Sequence, residues 1–163
     1  MTMIEMTLAA LGFALLGPAQ GLPAEAARVR ALNELEARVS EPERLEHAFA
    51  VEAIMVALAR RSGGDRQEWA LAGLLHDIDL AKTRANPSQH GVAGARLIAG
   101  LGFSDAVVHA VRTHDDVAGL PRTSPIARAL YCADRGYWAV RASASDTGTS
   151  RQRSTAEPPQ AAR

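Results

Sequence analysis

The stretch that most constrains this chain is LAGLLHDIDLAK, residues 71–82. It is almost wholly apolar until it ends in His76, Asp77 and Asp79, so a helix buried on nearly every side delivers an imidazole and carboxylates to an interior position. Burying such groups is costly unless a metal ion, a catalytic partner or a structural hydrogen bond holds them. The remaining chain must therefore wrap this segment and supply polar partners for its end.

With 163 residues and 47% hydrophobic content, one domain with a real core is expected, and a wholly disordered or collagen-like chain is excluded. Lys plus Arg equals Asp plus Glu at 18 each. That balance offers no basic face, so no nucleic-acid polymer is expected as a partner. The single cysteine, Cys132, cannot form an internal disulfide, which makes a reducing cytoplasm the default location, and it is expected as a small core residue. The apolar run at residues 6–16 is too short to span a bilayer, and Gly12, Gly17, Pro18, Gly21 and Pro23 break it up. No Lys or Arg precedes it, as a secretory signal would require. Residues 1–23 are expected to be a poorly ordered leader, and no membrane partner is expected.

The rest of the chain has helical patterning throughout. Residues 24–39 form an amphipathic segment with Val29, Leu32, Leu35 and Val39 three or four apart. Ser40-Glu41-Pro42-Glu43 starts a second helix, reaching about Arg61, in which His47 shares a stripe with Val51, Ile54 and Leu58 and so points inward. Gly63-Gly64 breaks it, and Asp65 caps the buried helix with Glu68 three residues on. A loop over 79–87 carries Lys82 and Arg84. A helix over 89–100 has His90 in its first turn and small residues at Gly91, Ala93, Gly94 and Ala95. Further helices are expected over 106–114 and 125–140, and residues 141–163, without an apolar stripe, as a disordered tail. The predicted architecture is an all-α, single-domain bundle of about five or six helices, with the folded unit at 24–140.

His47, His76 with Asp77, His114 and Asp134 fall on separate helices at inward or helix-end positions. Imidazole nitrogen with carboxylate oxygen suits Mn, Fe, Co, Ni or Zn, with Mg also compatible, and does not suit calcium or a thiolate-bound structural zinc. His109 lies off this pattern and is expected at the surface.

These segments resemble the HD superfamily of metal-dependent phosphohydrolases, and its HDIG-type members most closely. RLEHAFAVEAIMVALARR is similar to the opening helix with its first histidine, and WALAGLLHDID to the namesake motif. SQHGVAGARLI is similar to the segment that supplies an additional histidine, AVVHAVRTHDD to the helix ending in another, and ALYCADR to the closing aspartate. The resemblance implies that His47, His76, Asp77 and Asp134 hold a first metal. In members with two, it implies that His90 and His114 hold a second, with Asp77 bridging. One departure is Asp79 where the usual motif has glycine; another is the low-complexity end after Asp134, where many relatives carry further helices.

The implied activity is cleavage of a phosphate ester of a small metabolite or nucleotide by metal-activated water, monoester or diester undistinguished, with one or two ions per chain. Asp77, Asp79 and Lys82 are the expected catalytic groups, Asp79 by orienting or deprotonating water or, equally, by capping a loop. Lys82 and Arg84 are the expected phosphate contacts. Two other functions remain compatible: a non-catalytic ligand-sensing or partner-binding module, and a di-iron oxygenase on the same scaffold.

Overall fold

The computed structural model describes residues 24–153, with side-chain environments for 25–143. The expected leader, 1–23, and residues 154–163 of the expected tail lie outside the described residues. Among the described residues there is no strand. The chain forms α1 (Ala24–Glu36), α2 (Pro42–Ser62), α3 (Arg66–Leu75), a single turn α4 (Leu80–Thr83), a 3-10 turn at Pro87–Gln89, α5 (Val92–Gly100), α6 (Asp105–Thr113) and α7 (Pro125–Arg153). The architecture is the all-α bundle expected from the sequence.

Local signals explain most boundaries. Pro42 stands in the first turn of α2, and Gly63 closes that helix at φ 72°, a conformation that favours glycine. Asp65 caps α3 by accepting from the backbone N–H groups of Gln67 and Glu68 at 2.8 and 3.0 Å. Two boundaries differ from expectation. α5 starts at Val92 and not at Gln89, because Gly91 takes φ +73° and breaks the first turn, leaving His90 extended. α7 continues past Val140 to Arg153, since backbone helix can propagate without an apolar stripe once it is nucleated.

α3 is the central element and touches α1, α2, α6 and α7. Leu71, Ala72, Leu74 and Leu75 are all buried, as a helix apolar on nearly all sides requires. The inward face of α1 is Ala27, Ala31 and Leu35, with Val39 buried just beyond its end, while Val29 is 48% exposed. A strict four-residue spacing that includes two alanines brings α1 close to the bundle, which a stripe through Val29 would not. Arg28 then clamps α1 to α2 by donating from Nε and Nη2 to the two oxygens of Glu52, at 2.7 and 3.0 Å.

The closest approach is between α2 and α3. A Cβ at Gly73 would lie 2.9 Å from the Cα and N of Glu52 and from the carbonyl oxygen of Val51. All three are backbone atoms, so the helices must separate to admit it. Gly73→Ala is expected to lower stability by about 1–3 kcal/mol despite alanine's better helix propensity; a urea-unfolding midpoint at or above wild type would contradict this packing.

Candidate metal centre

Five segments deliver polar side chains to one cluster. His47 comes from the middle of α2, His76 and Asp77 from the end of α3, His90 from the extended residue before α5, His114 from the end of α6 and Asp134 from α7. The four histidines are buried. The Asp77 and Asp134 side chains each keep 16% of their surface exposed, so the cluster opens to solvent on their side.

Asp77 sits between two lobes. Its Oδ1 lies 3.2 Å from His90 Nε2 and 3.5 Å from His114 Nε2. Its Oδ2 lies 3.5 Å from His76 Nε2 and 3.9 Å from His47 Nε2. Asp134 Oδ1 reaches the first lobe, 3.0 Å from His47 Nε2 and 3.8 Å from His76 Nε2. His47, His76 and Asp77 form one group that could hold a metal ion, and Asp77, His90 and His114 form another.

The tautomers follow from partners behind the rings. His76 Nδ1 lies 2.7 Å from the carbonyl oxygen of Gly73, and His114 Nδ1 lies 2.7 Å from that of Val111. A carbonyl only accepts, so each Nδ1 carries the proton and each neutral ring turns a bare Nε2 lone pair into the cluster. His90 Nδ1 faces Asp79 Oδ1 at 2.8 Å with the same consequence. Nε2 of His114 then confronts Nε2 of His90 at 3.1 Å, and Nε2 of His47 confronts that of His76 at 3.0 Å. Facing ring nitrogens need a hydrogen or a cation between them: a ring N–H, an added proton or a metal ion. The spacing also matches adjacent corners of an octahedron with bonds of about 2.1 Å, so the donor set fits a divalent ion in each lobe. His47 differs, because its buried Nδ1 has no hydrogen-bond partner and its ring is held by packing on Tyr137 and Trp138, at centroid distances of 4.6 and 4.8 Å.

Without an ion, protons take that cation's place. Burial opposes a charged His90, but its hydrogen bonds to Asp77 and Asp79 outweigh burial and raise its pKa to about 10. Burial also opposes the Asp77 carboxylate, yet the neighbouring His76, with hydrogen bonds from His114 and His90, holds it well below the usual carboxylate range. Asp134 is lowered against the same burial cost by its hydrogen bond to His47 and by His76. At His76, burial prevails over Asp77 and Asp134 and lowers the pKa. An ion entering the cluster would have to displace a proton.

The structure brings together His47, His76, Asp77, His90, His114 and Asp134. It does not bring Asp79, Lys82 or Arg84 to the open side. Asp79 is buried behind His90, with Oδ1 taken by His90 and Oδ2 accepting from the backbone N–H of Gly94 at 2.7 Å. A carboxylate with both oxygens engaged behind a ligand-type ring is not placed to meet water. Lys82 is exposed and lines, with Arg38, Ile78, Leu97 and Asp79 itself, a cavity of about 270 Å³ that includes none of the six cluster residues. Arg84 is exposed and pairs with Glu41 at 3.3 Å. The cation that approaches the cluster is Arg44, whose Nη1 lies 3.9 Å from Asp77 Oδ2. Its position three residues before His47 on one helix places both on one face, a spacing the sequence already contained. Cys132 is exposed, not a core residue, because Ala133 and Leu130 turn inward on α7. His109 lies off the cluster and bonds Thr123 Oγ1 at 3.2 Å.

An all-α domain with a two-lobed histidine and aspartate centre is the class that this fold and site define. The chain belongs to the HD domain family, whose model matches residues 44–136, and so to a superfamily of hydrolases. HD domains bind divalent metals, in keeping with the donor groups described above. The crystal structure of a predicted HD superfamily hydrolase from an uncultured Thermotogales bacterium aligns with 65% of this chain and 65% of its own, with a TM-score of 0.53 and 26% identity. Ribonuclease Y of Lawsonia intracellularis is 31% identical over 97 residues, covering 59% of this chain and 19% of the ribonuclease. Ribonuclease Y of Oleidesulfovibrio alaskensis is 31% identical over 107 residues, covering 65% of this chain and 20% of the ribonuclease. The chain thus spans about a fifth of the length of these curated relatives.

Relatives named as ribonucleases overturn the expectation of a small phosphorylated substrate and no nucleic-acid polymer. The physical reason is that a net charge of zero is a sum over the chain, whereas recognition depends on local charge. Arg44 stands one turn before His47. Arg135, next to Asp134, and Arg122 both donate to Asp116, two residues past His114, at 2.7 Å. No helix among the described residues is long and apolar enough to cross a membrane.

Proposed function

We propose that the chain is a metal-dependent phosphodiesterase that cleaves RNA. The observation that carries this reading is Asp77, which offers one carboxylate oxygen to each of two histidine lobes on the open side of the cluster. His47, His76, Asp77 and Asp134 would hold one divalent ion, and Asp77, His90 and His114 a second. When bound, such ions supply a hydroxide nucleophile near neutral pH and neutralise phosphoryl charge.

The chain's own groups do the rest. Gly73 and Val111 carbonyls fix the His76 and His114 rings, so their donor atoms need no reorganisation. Arg44, half-exposed beside Asp77, presents a guanidinium fork suited to the non-bridging oxygens of a phosphodiester. Arg122, on the segment that follows His114, and Arg135, beside Asp134 on α7, meet at Asp116, where adjoining backbone phosphates would pass. RNA as substrate is supported by the relatives named ribonucleases.

The test is cleavage of an end-labelled single-stranded RNA oligonucleotide by chelator-treated protein before and after manganese is restored. Cleavage is expected only with manganese, and Arg44→Ala is expected to raise KM about tenfold or more, the effect of losing one charge-assisted contact. Cleavage that persists in chelator would refute metal dependence. Bound ions without cleavage of any phosphodiester would make the domain a binding module.

A further inference from the structure

The structure assigns Asp79 a task outside the ligand set: we propose that it is a positioning residue that commits the His90–His114 lobe to a second ion, by fixing the His90 tautomer. The inference rests on the metal-dependent reading above. A buried carboxylate is costly unless its oxygens are satisfied, and here each has one partner. Oδ1 faces His90 Nδ1 at 2.8 Å, and Oδ2 accepts from Gly94 N at 2.7 Å. A carboxylate only accepts, so a proton must stay on Nδ1, which leaves Nε2, the nitrogen that faces Asp77, as the one that would give up its proton to an ion.

The neighbouring glycines make the arrangement possible. A Cβ at Gly94 would lie 3.2 Å from Asp79 Cγ and 3.3 Å from its Oδ2, so glycine is what lets the carboxylate reach the helix backbone. A Cβ at Gly91 would lie 3.0 Å from the carbonyl oxygen of Val111, so glycine lets the residue after His90 pack against the end of α6, where His114 stands. The ring is therefore fixed from behind by Asp79 and carried on a segment held against its partner histidine.

Asparagine at position 79 has the same shape but one acceptor and one donor. It can satisfy either His90 Nδ1–H or Gly94 N–H, and the other meets a donor. If the amide donates to His90, the ring proton moves to Nε2 and points into the lobe where an ion would bind. Asp79→Asn is therefore expected to weaken the second ion about ten- to a hundredfold, while the ion held by His47, His76 and Asp134 with Asp77 keeps its affinity. A merely structural role would weaken both.

The experiment is a manganese titration of the metal-stripped full chain by calorimetry, with electron paramagnetic resonance to report coupled ion pairs. Wild type is expected to take up two coupled ions and Asp79→Asn to retain one, with the coupled signal gone. In a His90→Ala background, Asp79→Asn is expected to cost nothing further. Gly94→Ala, which crowds Asp79 but leaves its charge, is expected to reproduce the loss and decides the matter if Asp79→Asn fails to fold. Two ions at wild-type affinity in either folded single variant overturn the positioning role. A wild type that binds one ion overturns it too while leaving a metal centre; a wild type that binds none overturns the reading on which it rests.

Discussion

Asp77→Ala is expected to empty both lobes and to lower cleavage of an RNA oligonucleotide by at least about a thousandfold, or about 4 kcal/mol of transition-state stabilisation. The size of the effect follows from position. Among the described residues, Asp77 alone presents an oxygen to each histidine pair. Its loss removes an anionic donor from each candidate ion at once, whereas His47→Ala or His114→Ala removes one neutral donor from one lobe. The side chain lies at the solvent-open edge of the cluster, so the helical circular dichroism of the variant should match wild type. Parallel kinetics and metal analysis check this. A variant that keeps one ion and a tenth or more of the turnover would show that Asp77 does not bridge.

The second large effect concerns pH. Raising pH from about 6 to about 8 is expected to strengthen manganese binding in the His90–His114 lobe about a hundredfold. Held at about 10 in the metal-free chain, His90 stays protonated across that range, so each ion entering must displace one proton. That gives about a tenfold gain per pH unit. The sign for stability is the opposite. The folded pKa is above the ordinary 6.5, so the stabilisation from this contact is complete below about 6.5 and is lost as pH rises through about 10. Chelated protein should therefore become easier to unfold with urea between those limits, while calorimetry shows manganese binding more tightly. An affinity that does not change with pH would mean that His90 enters the site already unprotonated.

The convergence of most of the candidate centre's side chains was legible in the sequence because they sit on or at the ends of regular elements with clear patterning. His47 lies on a helical stripe with core residues, His76 and Asp77 end the apolar run, and Asp134 follows the inward face of α7. What sequence could not supply was contact between segments. Asp79 reads as a catalytic carboxylate until Gly94, fifteen residues away, is seen to donate to it. The same approach explains why the segment after His90 needs small residues, which the pattern alone reads as a general close-packing face. Lys82 and Arg84 follow His76 and Asp77 closely in sequence, but the single turn α4 carries them away from the open side. Arg44 was missed although its spacing from His47 placed it on the right face. Net charge could not exclude a nucleic-acid polymer, because eighteen basic and eighteen acidic residues cancel on paper whatever their arrangement in space.

The most direct measurement is the metal content of the purified chain by elemental mass spectrometry, after growth with manganese and iron and beside Asp77→Ala. Two transition-metal ions per chain in wild type and none in the variant is the predicted result. No metal in wild type would contradict the account at its centre.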